Sequence, residues 1–296
     1  MKNTILVGID GSLPSRAALV WSVTRAAATG AELFLVHVID DEWGTVSHQM
    51  VEEIHRAASE LIDAESDFAR SLAPTVPVRS EILRGDPMIE LAAVSAGAEL
   101  VVVGTHKTGF LYGKAFGSRS LQLASTAHSP VAIIPERSLS TRHGIVVGVD
   151  DSSAGRAAVR FAAAEAERTN QELTLVRAWQ LPALQAEKNA LTVAHELQVH
   201  DAAERMMATA LSLAKEKNAT LVVRSRSIRR KPAEALLDAS ASADLLVIGS
   251  SRRHGREQAA LGPVSHDVLI NLGGPTLVVH GEDASGEGPG LRTKAK

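Results

Sequence analysis

The sequence predicts an α/β protein of two tandem doubly wound parallel five-stranded sheets, each with helices on both faces. Three observations carry this reading. Short apolar runs alternate with amphipathic stretches, the order expected of a parallel sheet with right-handed helical crossovers. The runs are nearly continuous in hydrophobicity, as strands buried on both faces require. The whole pattern then occurs twice within 296 residues.

In the first copy the strands are read at Thr4–Ile9, Leu33–Val38, Pro77–Ile82, Leu100–Val103 and Val131–Ile134. A first helix is expected to start near Ser15, after Pro14. A longer one carries Met50, Ile54, Leu61 and Phe68 at helical spacing. A third opens on Pro87, where proline is tolerated because the first-turn N–H has no helical partner. A fourth runs from Ser118 through Leu121 and Ala124 to His128.

The duplication is legible residue by residue. Ile5-Leu6-Val7-Gly8-Ile9-Asp10-Gly11-Ser12 returns as Ile145-Val146-Val147-Gly148-Val149-Asp150-Asp151-Ser152, an offset of 140. Further on, Ala98 to Gly104 returns as Ala243 to Gly249, Gly117 as Gly262 and Pro130 as Pro275, an offset of 145. One five-residue insertion between the two blocks accounts for the change. The unit is far longer than a solenoid repeat and is a duplicated domain. The polar stretch from Pro135 to His143 separates the copies, giving expected domains at 1–138 and 144–281. The Gly-rich, charged residues 282–296 are expected to form a disordered tail. The two copies are expected to pack through their final strands or nearby helices, with an internal two-fold.

Composition narrows the function. Thirty-one Lys and Arg against 34 Asp and Glu give a formal charge of −3, without the basic excess of a nucleic-acid or anionic-membrane binder. The absence of cysteine excludes disulfides, thiol nucleophiles and Cys-ligated metals. No apolar run approaches a membrane span, and a cytoplasmic location is expected. Neither a P-loop, a dinucleotide fingerprint, a His-Glu-x-x-His helix nor a nucleophile elbow is present. His195 and His200 are five apart, a spacing unsuited to one helical face, so no metal site is expected there. No general acid and base stand out, and no catalytic residue is assigned.

Ligands of doubly wound sheets bind beyond the carboxyl ends of the strands, where the strand order reverses. Two segments end there: Asp10-Gly11-Ser12 after the first strand, and the Gly-punctuated loop from Gly104 to Ser118 after the fourth. Glycines allow close backbone approach, and the N–H groups of the following helix favour an anion such as phosphate. Lys107 and Lys114 add positive charge.

At these residues the chain resembles the universal stress protein family in its tandem two-domain form. Nucleotide-binding members of that family carry Gly-x2-Gly-x9-Gly-[Ser/Thr] after the fourth strand and an Asp at the end of the first. Gly104 matches the first glycine, Gly117 the third, Ser118 the hydroxyl and Asp10 the acid, while Lys107 stands at the middle glycine. In the second copy Asp150, Gly249 and Gly262 keep the pattern, while Arg252 replaces the middle glycine and Pro263 the hydroxyl.

The resemblance implies an ATP-binding regulatory module without strong catalysis, with ADP or AMP as related ligands and Mg²⁺ as a companion ion. It implies that Asp10 and the backbone around Val38 hold the adenine and ribose. Gly104, His106, Gly117 and Ser118 would cradle the phosphates, beside Lys107 and Arg119. The partners implied are an adenine nucleotide, unidentified proteins and a second copy of the chain, with no nucleic acid and no membrane. The bland alternative keeps the fold without the ligand. Asp10 and Asp150 then serve only as turn acceptors, Gly104 and Gly249 only let a strand leave the sheet, and Trp21 and Phe161 are core or interface residues.

Overall fold

The computed structural model describes residues 3–41, 47–105, 118–136, 142–180, 190–251, 253–254 and 259–281. In the first copy β1 (Thr4–Gly8), α1 (Leu13–Thr29), β2 (Glu32–Ile39), α2 (His48–Leu72), β3 (Val78–Arg84), α3 (Pro87–Ser95), β4 (Leu100–Thr105), α4 (Ser118–Thr126) and β5 (Val131–Pro135) follow one another. The second repeats this as β6 (Ile145–Gly148), α5 (Ser153–Thr169), β7 (Leu173–Trp179), α6 (Ala190–Ala214), β8 (Val223–Arg229), α7 (Pro232–Ala239) and β9 (Leu245–Ser250). Between β9 and α8 (Pro263–Ile270) lie β10 (Arg253–His254) and β11 (Ala259–Ala260), a small antiparallel pair, and β12 (Thr276–His280) closes the copy.

All five expected strands of the first copy lie within two residues of their observed bounds. The first helix starts at Leu13 rather than near Ser15, because the Ser12 hydroxyl accepts the Ser15 N–H and caps it. Pro14 then sits in the first turn. The fourth helix ends at Thr126, short of His128, whose N–H instead donates to the Ser95 hydroxyl.

Each copy orders its strands 3-2-1-4-5, and the two sheets join into one of ten strands, β3-β2-β1-β4-β5-β12-β9-β6-β7-β8. The join is antiparallel, with Ile133 opposite Thr276 and Val131 opposite Val278. The final strands therefore do make the seam. Alternate residues feed two layers. Ile5, Val7, Leu100 and Val102 face α1 and α2, while Leu6, Val101 and Val103 face α3 and α4. Both apolar layers run on across the seam into the second copy. At the outer edges, β3 and β8 present Arg, Ser and Glu to solvent, which discourages further edge pairing.

The five-residue insertion can be placed. Buried Ala58, Ile62 and Ala69 on α2 match buried Ala203, Met207 and Ala214 on α6, each 145 apart. Through β7 the offset is still 140, so the extra residues lie between β7 and α6. No helix among the described residues is long and apolar enough to cross a membrane.

Candidate functional site

Strand register brings the first candidate site together. β1 pairs with β2 at Gly8↔Val36 and with β4 at Val7↔Val102. Continuing these ladders sets Asp10 level with Val38 on one side and with Thr105 on the other. The site is thus the carboxyl end of three adjacent strands, at the point where the order reverses between β1 and β4.

Asp10 is exposed, and its Oδ1 accepts the Ser12 N–H at 2.9 Å, an Asx turn that leads into α1. Its own N–H donates to the Ser15 hydroxyl at 3.2 Å, and that hydroxyl donates back to the Gly8 carbonyl at 3.3 Å. The turn is therefore fixed from both sides. Beside it, His37 Nδ1 lies 2.8 Å from the Ile9 carbonyl and donates to it. Val38 is half-buried against the α3 and α4 layer.

Gly104 has a steric reason to be glycine. A Cβ there would lie 2.2 Å from the Pro14 carbonyl carbon and 2.5 Å from the Ser15 nitrogen. The first turn of α1 rests directly on the end of β4, where only a hydrogen fits. Gly249 repeats this against Ala154 and Gly155, at 2.6 and 2.7 Å.

Arg119, in the first turn of α4, reaches Asp40 beyond the end of β2 at 3.6 Å. Asp40 was not singled out from the sequence. It belongs to no motif, and only the position of α4 across the strand ends connects it to the site. The second copy has Gln180 and Val264 at these positions and no such pair. His106, Lys107 and Gly117 lie outside the described residues, as does Arg252. Ser118 begins α4, and only its backbone is described.

The second candidate site keeps the turn and alters its support. Asp150 Oδ1 accepts the Ser152 N–H at 3.0 Å and its hydroxyl at 2.6 Å. Where Ser15 stands in the first copy the second has Gly155, and a Cβ there would lie 1.9 Å from that same Oδ1. The Asp150 carboxylate leans into the room that the missing side chain leaves. Arg177 replaces His37, donating to the Val149 carbonyl at 3.0 Å. Gly262 caps α8 with φ −64° and has nothing among the described residues within 4 Å of a Cβ, so their packing does not demand glycine there. Pro263 occupies the first helical position and offers no N–H. The buried Ser250 hydroxyl, at the end of β9, has no hydrogen-bond partner among the described residues.

A cavity lies away from both sites. It has about 1030 Å³ and follows the seam between α1 and α5, lined by Trp21, Arg25, Arg142, Glu165, Arg168 and Asp244 among others. There Arg25 pairs with Glu165, the side chains only 8% and 5% exposed, and Arg168 pairs with the same carboxylate. Trp21 and Phe161 flank Arg25, their ring centres 5.7 and 5.5 Å from its guanidinium carbon. They are interface residues.

With this geometry in view, comparison with known proteins decides the kinship. The profile of the universal stress protein family matches twice, over residues 1–135 and 141–280. The chain belongs to the universal stress protein family. A universal stress protein of Mycobacterium tuberculosis is 31% identical over 303 residues, covering 94% of this chain and 97% of that one. A second from the same species is 30% identical over 288 residues, covering 93% and 95%. Among solved structures, a universal stress protein from Archaeoglobus fulgidus superposes with a TM-score of 0.69 at 17% identity, covering 95% of this chain and 99% of that one. A protein of unknown function from Pseudomonas aeruginosa gives 0.61 at 18% identity, covering 95% and 94%. Both extend the shared fold across the two copies.

Proposed function

We propose that this universal stress protein is a cytoplasmic, adenine-nucleotide-binding regulatory module, with ATP as the ligand and recognition rather than turnover as its chemistry. One observation carries the reading. The Asp10 turn, the Gly104 approach and the start of α4 with Arg119 meet at the switch point of the first sheet. In this reading Asp10 and the backbone near Val38 take the base and sugar. The glycine loop and the α4 N-terminus, through Gly104, His106, Lys107, Gly117, Ser118 and Arg119, take the phosphates. Asp150, Gly249, Arg252 and Gly262 would serve a second nucleotide more weakly, since Pro263 withholds one N–H. Mg²⁺ would accompany the phosphates, and two chains would associate as a homodimer that recruits other proteins.

Isothermal titration with ATP tests the reading. Binding in the wild type with a loss of at least about tenfold in Asp10→Ala is the expected result. No heat at millimolar ATP removes it. Strictly monomeric light scattering removes the homodimer.

A second reading, a nucleotide-independent interaction module, draws on the two glycines whose presence packing alone explains, Gly104 and Gly249. A melting temperature that saturating ATP leaves unchanged favours it.

A further inference from the structure

The two copies treat the groove between their first two helices differently. In the first copy the Arg16 guanidinium lies over the Phe68 ring at 4.6 Å and pairs with buried Glu65 at 2.5 Å. The hydrogen bonds that Arg16 donates to Glu65 first, and the Glu65 charge second, raise the pKa of Arg16 above the ordinary arginine value. Cation, carboxylate and ring together occupy the groove.

The second copy keeps the cation and drops its companions. Arg156 stands in the place of Arg16, 140 positions on. The helix opposite follows the offset of 145, so Ala210 stands in the place of Glu65 and Leu213 in that of Phe68. Losing a carboxylate and a ring leaves a cavity of about 370 Å³. Val159, Met206, Ala210 and Leu213 give it an apolar lining, and Arg156 and Arg205 border it. Arg156 Nη1 donates to the Asp151 carbonyl, and among the described residues no carboxylate pairs with Arg156 or Arg205. Asp150 and Asp151 also line the cleft, and Asp150 Oδ1 is engaged by Ser152, so an anion has to sit on the arginine side.

We propose that this groove binds a small aryl carboxylate. The ligand would supply from outside the carboxylate and the ring that Glu65 and Phe68 supply within the first copy. The size suits a ligand of that class, since small-molecule pockets start at about 300 Å³. An apolar floor with one or two fixed cations is the usual form of such a site. The site is built on α5 and α6 and shares Asp150 with the second nucleotide site proposed above, while Gly249 and Gly262 do not line it.

Saturation-transfer NMR on the full chain with 3-phenylpropionate is the test, with 3-phenylpropionamide as the uncharged control. The acid should bind and the amide bind at least about tenfold more weakly. Arg156→Gln, at an exposed position, should weaken the acid by a similar factor. Ala210→Glu with Leu213→Phe rebuilds the arrangement of the first copy and should abolish binding. Absence of transfer to the acid at about 10 mM overturns the proposal, because weaker association would be non-specific. Equal binding of acid and amide, or unchanged binding in Arg156→Gln, overturns it as well.

Discussion

Two glycines of the repeated motif, one from each copy, make opposite demands. Gly104 has backbone atoms within 2.5 Å of a would-be Cβ, whereas Gly262 has open space. Gly104→Ala should therefore cost about 3 kcal/mol, since no flexible side chain can yield, while Gly262→Ala should stay within about 0.5 kcal/mol. Urea midpoints at constant m-value would report both. Ser250 supplies a prediction of opposite sign. Its buried hydroxyl has no partner among the described residues, so Ser250→Ala should leave stability unchanged or raise it by up to about 1 kcal/mol. A loss above that amount would mean the hydroxyl has a bonding role. At this scale the sequence was legible where side chains speak locally. Asp10 as an Asx-turn acceptor and Pro87 in a first turn follow from residue type. The pressure on Gly104 was not legible, because it comes from α1, which lies about ninety positions away in the chain.

Helices α1 and α5 meet through a buried ion pair whose geometry sets its own test. Removing one partner of such a pair strands the other charge in a dry interface, at a typical cost of about 3–5 kcal/mol. Glu165→Ala should fall in that range, since it leaves both Arg25 and Arg168 unmatched. Replacing the pair together, as Arg25→Leu with Glu165→Leu, should recover most of the loss. The exchanged pair, Arg25→Glu with Glu165→Arg, should not recover, because the new arginine would adjoin Arg168. Full recovery in thermal unfolding would show that Arg168 plays no part. Periodicity placed α1 and α5 and their apolar stripes, and it left Trp21 and Phe161 as core or interface residues. It gave no sign of the arginine between them, because Arg25 and Glu165 look like two ordinary surface charges until the sheets are joined. The β10–β11 hairpin was missed for a related reason: two-residue strands carry no period.

Across the whole molecule, the antiparallel seam turns the two copies end for end. The carboxyl ends of β1 and β4 lie at one end of the ten-stranded sheet, and those of β6 and β9 at the other. One ligand cannot span both candidate sites. If both take nucleotide, titration should fit two classes without measurable cooperativity; a Hill coefficient clearly above one would contradict this. The repeat offset made the duplication and its class legible, but the choice of seam was settled by which edge strands are apolar and which are charged. That seam also has a consequence for descent. Positions 25 and 165 are the same site of the ancestral unit, facing its own image across the two-fold. In a symmetric pair of identical chains arginine would meet arginine there, and no single substitution could give it an opposite. Two copies on one chain are free of that constraint, and here one side is basic and the other acidic. The chain thereby acquired a lock and a key from one part, and each half now discriminates against its own kind.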